Sequence, residues 1–261
     1  MNKKLKQELN AFNEYLLHRT SKGTAELYTS SLGVYFEWLS DRKPSATNAQ
    51  QFLDEAIVSG KSASTVGGYG RAITKWFKWK GIEVVLDVPP VEMKDPHYLT
   101  AKQIDELLAG CSGIEYLIIA ILFDTAIRIN EFMNIRVCDV DFDKKVIHVT
   151  RKGGHRDTVN IDERLLDLLK LYMRDKSPDD NIFAGLDYNK ALKLVKDAGK
   201  RIGVDITPHT LRHSRAIQML NEGAELWVVQ QHLGHTSIAT TANVYGRFTK
   251  EHLKDKIPAW C

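Results

Sequence analysis

The sequence predicts a mainly helical fold with one small β-hairpin or sheet, an α+β architecture in two parts, and three features carry that prediction. Apolar residues recur at three- and four-residue spacing over most of the chain. A single pair of β-branched runs flanks Lys152-Gly153-Gly154-His155, and a proline-rich stretch without apolar period interrupts the helical pattern about one third of the way along. At 261 residues, two ordinary cores are a better expectation than one very large one.

The first helix is marked by Leu5, Leu9, Phe12, Leu16 and Leu17, and the second, after Thr24, by Tyr28, Leu32, Tyr35, Phe36 and Leu39. A third follows Thr47 and Asn48 with Phe52, Leu53, Ile57 and Val58; a fourth carries Val66, Tyr69, Ile73, Trp76 and Phe77. Gly67, Gly68 and Gly70 lie inside that fourth pattern, where each costs about 1 kcal/mol relative to alanine. Either something approaches the backbone closely there, a phosphate for instance, or the helix frays. The stretch from Asp87 to Pro96 holds three prolines, so neither a helix nor a central strand runs through it. The expected organisation is a helical domain over residues 1–86, a linker over 87–97 and a second domain over 98–261.

In the second domain Thr100 caps a helix whose stripe is Ile104, Leu107 and Leu108. The segment from Tyr116 to Thr125 is apolar nearly all round, as a helix buried in a larger core must be. The hairpin strands are expected near Val146–Thr150 and Thr158–Ile161, with glycines supplying the turn's positive φ angles. Helical patterns resume from Glu163.

Composition narrows the class without deciding the function. The chain is 43% hydrophobic and 26% charged, and its longest apolar run, Leu117 to Phe123, is far too short to span a bilayer. The basic N-terminus lacks an apolar core or cleavage site, so a cytoplasmic location is expected. Cys111, Cys138 and Cys261 are scattered and odd in number, which suits a reducing compartment. A net charge of +3 is only weakly basic, so charge placement matters more than its sum. Lys75, Lys78 and Lys80 form one basic group; Arg151, Lys152, His155 and Arg156 form another.

Three segments of the second domain combine residues suited to chemistry. Arg128 emerges at the end of the most apolar helix, where a charge needs a partner or a ligand. Thr207-Pro208 starts a helix that puts His209 and Arg212 on one face. His232-Leu233-Gly234-His235 is followed ten residues later by Tyr245.

In this order and spacing the segments resemble the tyrosine recombinase (phage integrase) family, whose signature is an Arg, a hairpin Lys, a His-x-x-Arg, a Leu-Gly-His and a Tyr. The resemblance extends to the first domain, through Thr24-x-x-x-Tyr28, Ser64-Thr65-x-x-x-Tyr69 and Trp76-Phe77. It implies a helical core-DNA-binding domain followed by a catalytic domain, with Arg128, Lys152, His209, Arg212, His235 and Tyr245 as the active site and Glu131 orienting it. One departure is that the family usually has Gly where Ala126 stands, so the turn before Arg128 is expected to differ slightly.

The implied chemistry accounts for the residue types. Attack by a phenol on a phosphodiester builds a second charge on the nonbridging oxygens, and two arginines answer it without ever losing their own charge. A flexible ammonium such as Lys152 can protonate the leaving 5′-oxygen, an effect usually worth about 10²–10⁴ in rate. Tyrosine, with an ordinary pKa near ~10, needs a proton acceptor, and His209 is the expected one. His235 is expected to bond the phosphate. Neither cofactor nor metal is expected: His209, His213, His232 and His235 have ligand-like spacings, but no Cys or carboxylate lies beside them in sequence and Arg212 would repel a cation.

Two other classes stay open, a type IB topoisomerase with similar chemistry and a DNA-binding regulator that keeps the fold without turnover. The expected partners are double-stranded DNA at a specific site and further copies of the chain, a tetramer on paired sites. Leu253, Ile257 and Trp260 in the tail offer a surface for that assembly. With no extra N-terminal domain for distant sites, a simple Xer-type or plasmid/mobile-element enzyme is expected.

Overall fold

The computed structural model describes residues 3–91, 96–151 and 153–234, together with Ala242 and Tyr245. Lys152, His235 and the tail residues Leu253, Ile257 and Trp260 lie outside the described residues. The chain divides into two compact units, Met1–Lys94 and Asp95–Cys261.

The first unit consists of α1 (Lys3–Leu17), α2 (Lys22–Leu39), α3 (Ala46–Val58) and α4 (Ala63–Trp79). Ser21, Ser45 and Ser62 start the last three, each side chain accepting from the backbone N–H three residues on. Ser21 and Ser45 stand two or three residues before the threonine and asparagine signals of the sequence, because a hydroxyl at the N-cap satisfies an otherwise orphaned donor. The core gathers Phe12, Leu16, Leu32, Tyr35, Phe36, Leu53, Ile73, Trp76 and Phe77.

Helix α4 runs unbroken through its glycines, so it does not fray there. At Gly70 the close approach comes from the same unit: an added Cβ would sit 2.6 Å from Cγ1 of Val88. Gln50 holds the segment beside Val88, accepting from the Asp87 N–H at 2.8 Å and donating to the Asp87 carbonyl at 3.1 Å. The first residues of the expected linker are thereby fastened to the helical unit.

The second unit contains α5 (Ala101–Ala109), α6 (Gly113–Asp124), α7 (Ile129–Phe132), β1 (Val140–Asp141), β2 (Val146–Thr150) and β3 (Arg156–Asn160). Four helices complete it: α8 (Glu163–Tyr172), α9 (Tyr188–Arg201), α10 (Pro208–Asn221) and α11 (Leu226–Leu233). Thr100 caps α5 in a reciprocal capping box with Gln103. The strands form an antiparallel sheet in the order β1-β2-β3, with Val140 opposite Ile147, Ile147 opposite Val159 and Thr150 opposite Arg156. Strand β1, at two residues, is too short to leave an alternation in the sequence. Helix α6 is buried from Leu117 to Leu122 and packs against both α8 and α10. A separate cluster of Ala126, Ala216, Ile217, Leu220, Val229, Leu233 and Tyr245 joins α10 and α11 to the turn after α6. No helix among the described residues is long and apolar enough to cross a membrane.

Candidate active site

The turn after α6 places Arg128. Thr125 ends that helix, and Ala126 takes the left-handed conformation with φ of 49° while fully buried. Glycine adopts this conformation without strain, whereas an L-residue with a Cβ gives up about 1–2 kcal/mol. Alanine thus makes here a turn that glycine would make without this cost. Its carbonyl points at Arg212, whose Nη1 donates to it.

Arg128 then starts α7, and Glu131 gathers the surrounding donors. Oε1 of Glu131 accepts from Nη1 of Arg128 at 2.8 Å, and Oε2 accepts from the Arg128 backbone N–H at 3.0 Å. Oε2 also accepts from Nη1 of Arg151 at 2.7 Å. Burial pushes the Glu131 carboxyl up, yet the Arg128 hydrogen bonds and the charges of Arg151 and Arg128 outweigh it and hold the group below the usual carboxylate range. The Arg128 side chain is 36% exposed, so this pairing leaves it within reach of a ligand.

Helix α10 supplies His209, Arg212 and His213. Thr207 caps it and Pro208 opens it, fixing the rotation that sends Arg212 inward. Arg212 is 3% exposed and donates through Nη2 to the Leu233 carbonyl at 2.7 Å as well as to Ala126. It therefore ties α10 to the end of α11 and to the turn before Arg128. A guanidinium carries more donors than these two carbonyls use. Burial and the nearby charge of Arg128 pull its pKa down to about 10, which leaves it charged at neutral pH. His209 is exposed, and its basicity is reduced by partial desolvation and by the charges of Arg212 and Arg128.

Tyr245 is buried, at 1% exposure, in the cluster formed by α10 and α11. Its hydroxyl is hydrogen-bonded to Nδ1 of His213, not to His209 one turn earlier. Burial pushes the phenol up to about 12, although Arg212 opposes the shift, and burial also brings His213 down to about 4. The proton consequently stays on the tyrosine, so the hydroxyl is held in place but not activated.

The Leu-Gly-His motif gains two physical reasons for its glycine. Gly234 ends α11 in the left-handed conformation, with φ of 61° and ψ of 43°. Its bare Cα also faces the Arg151 guanidinium, whose central carbon would lie 2.4 Å from an added Cβ. Two residues earlier, Nε2 of His232 donates to the Asp124 carbonyl at 3.0 Å, and burial lowers its pKa to about 4. Among the described residues there is no cluster of His, Cys, Asp or Glu able to hold a metal.

Of the six residues expected from the sequence, the described structure brings Arg128, Arg212 and Tyr245 around the Ala126 turn, with His209 on the same helix as Arg212. Two participants, His213 and Arg151, were noted in the sequence for spacing and charge but not expected in the site. His213 could have been found from its i, i+4 relation to His209. Arg151 continues the inward alternation of Ile147 and Val149, all three buried, which marks it as core-facing although charged.

Known proteins match this chain in sequence and in fold. Residues 97–252 match the Phage integrase family. The "Tyrosine recombinase XerA" of Pyrococcus horikoshii is 31% identical over 95% of this chain and 92% of its own length. The "Tyrosine recombinase XerC" of Anoxybacillus flavithermus is 26% identical over 94% of each. Among solved structures, XerH site-specific recombinase bound to its difH substrate superposes with a TM-score of 0.72 at 21% identity, over 92% of this chain and 80% of that one. A lambda integrase dimer bound to a core site gives 0.73 at 17% identity, over 90% and 96%. The fold is that of a DNA strand-exchange enzyme, and the chain belongs to the phage integrase family. Within that family it is similar over nearly its full length to XerA-type tyrosine recombinases.

Proposed function

We propose that this protein is a site-specific DNA recombinase that cuts and rejoins strands through a 3′-phosphotyrosine at Tyr245. The observation that carries the reading is the convergence of Arg128, Arg212 and Tyr245, from three segments well separated in sequence, around one turn. Arg128 and Arg212 bind the nonbridging oxygens of the scissile phosphate, which carry the charge that develops as the phenol oxygen attacks. Bond formation from Tyr245 to phosphorus breaks the bond to the 5′-oxygen, and Lys152 protonates that oxygen as it leaves. His209 and His235 supply further contacts to the phosphate, while His213 accepts the phenol proton once a bound phosphate and the two guanidiniums favour the phenolate. The covalent bond keeps the energy of the cleaved one, so a 5′-hydroxyl from another strand reverses the step without a cofactor.

The partners are double-stranded DNA at a specific site and three further copies of the chain on paired sites, since exchange needs four strand cuts. Residues 1–86 serve as the core-DNA-binding domain, 87–97 as linker and 98–261 as catalytic domain, acting in the cytoplasm. The test uses nicked duplexes made from fragments of host DNA, with the covalent adducts isolated and sequenced. Wild type forms adducts at one recurring sequence, and Tyr245→Phe binds the same DNA without forming any. Adducts in the Phe variant would refute the nucleophile; relaxation of supercoiled plasmid without recombination between two such sites would point to a topoisomerase.

A further inference from the structure

The geometry points to Arg151 as a positioning residue for the general acid: it anchors the β2–β3 hairpin, and with it the point from which Lys152 departs, to the carboxylate that holds Arg128. This inference rests on the reading of Lys152 as proton donor. Arg151 directly precedes Lys152 in sequence, and both ends of its backbone close the turn. Its N–H donates to the His155 carbonyl at 2.7 Å, and its own carbonyl accepts from the Gly154 N–H at 3.0 Å. Gly153 and Gly154, at φ of 90° and 82°, would otherwise leave the turn loosely defined.

The side chain is fixed as firmly as the backbone. Nη1 reaches Glu131 at 2.7 Å, Nε reaches Asp157 on β3 at 3.0 Å, and the guanidinium lies against Gly234 at the end of α11. Three elements, α7, β3 and the end of α11, thus meet on one side chain that is only 6% exposed. A lone cation so deeply buried would be costly, but two carboxylates offset it. A planar fork also transmits orientation as well as charge, which an ammonium would not. Because Oε2 of Glu131 is shared by Arg151 and the Arg128 backbone, the base of the hairpin and the first phosphate-binding arginine are held in one frame.

The test compares single-turnover cleavage of nicked substrates carrying oxygen or sulfur at the bridging 5′ position, using the full chain. Sulfur leaves with little need for a proton, so loss of the acid matters less on it. The sulfur-to-oxygen rate ratio also cancels any loss of folded protein, which separates misplacement of the acid from poor folding. A shift of about 1 Å in a catalytic group costs roughly 10²-fold. Arg151→Ala is therefore expected to lose about 10²-fold on oxygen and to recover most of it on sulfur. Arg151→Lys should behave alike, and Asp157→Asn, which removes the negative charge facing Nε and leaves the Glu131 contact, should show the same pattern more weakly. If Lys152→Ala is rescued by sulfur while Arg151→Ala keeps the wild-type ratio, Arg151 does not position the acid. If Lys152→Ala is not rescued, the proton-donor reading and this inference fall together.

Discussion

Replacing Glu131 with glutamine tests the arrangement where it is most tightly coupled. Both carboxylate oxygens accept from arginine, so an amide nitrogen in place of either oxygen puts donor against donor. Glu131 and Arg151 are 5% and 6% exposed, and removing one partner of a buried pair costs about 3–5 kcal/mol. Asp157 still faces Arg151 at 3.0 Å, which places the expected loss near the lower end, about 3 kcal/mol. Native-state hydrogen exchange of the β2 and β3 amides reads this unit without mixing in the helical one, and about 3 kcal/mol corresponds to roughly 10²-fold faster exchange. The pH dependence supplies a second check. The folded-state pKa of Glu131 is depressed, so its contribution is present above the unfolded value of about 4.3 and is lost as pH falls through the folded value. The gap between wild type and Glu131→Gln should therefore narrow on acidification below about pH 4. Equal exchange in the two proteins at neutral pH, or a gap that widens in acid, would refute the coupling.

Gly234→Ala should lower the melting temperature of the second unit through strain of at least about 1 kcal/mol, and Gly234→Asn should do no better because Arg151 leaves no room for any Cβ. His213 and His232 have folded pKa values near 4, below the unfolded 6.5, so their contribution is complete above 6.5 and lost between there and about 4. Replacing both with asparagine should flatten the stability of the second unit over that range, as followed by urea titration at several pH values. Gly70→Ala should weaken the first unit's hold on Val88, whereas in a Val88→Ala background the same change should stabilise α4 by up to about 1 kcal/mol, read by a double-mutant cycle in chemical denaturation.

Local patterns were sufficient for the helices and the hairpin, because periodicity, capping side chains and turn glycines each act within a few residues. The Thr207-Pro208 start of α10 and the Thr100 cap of α5 stand where the sequence placed them. The order and spacing of Arg128, His209, Arg212 and Tyr245 were likewise written in the chain, and with them the family. What the tertiary structure decided was which of these groups touch. His213 rather than His209 meets the Tyr245 hydroxyl, since that choice depends on how α10 is rotated against the cluster around Val229 and Leu233. Arg151 joins the site only because the sheet brings β2 against α7 and α11 ends on a residue without a side chain. Burial then sets the protonation of the groups: the phenol near 12 and His213 near 4 are consequences of desolvation, which no local spacing contains.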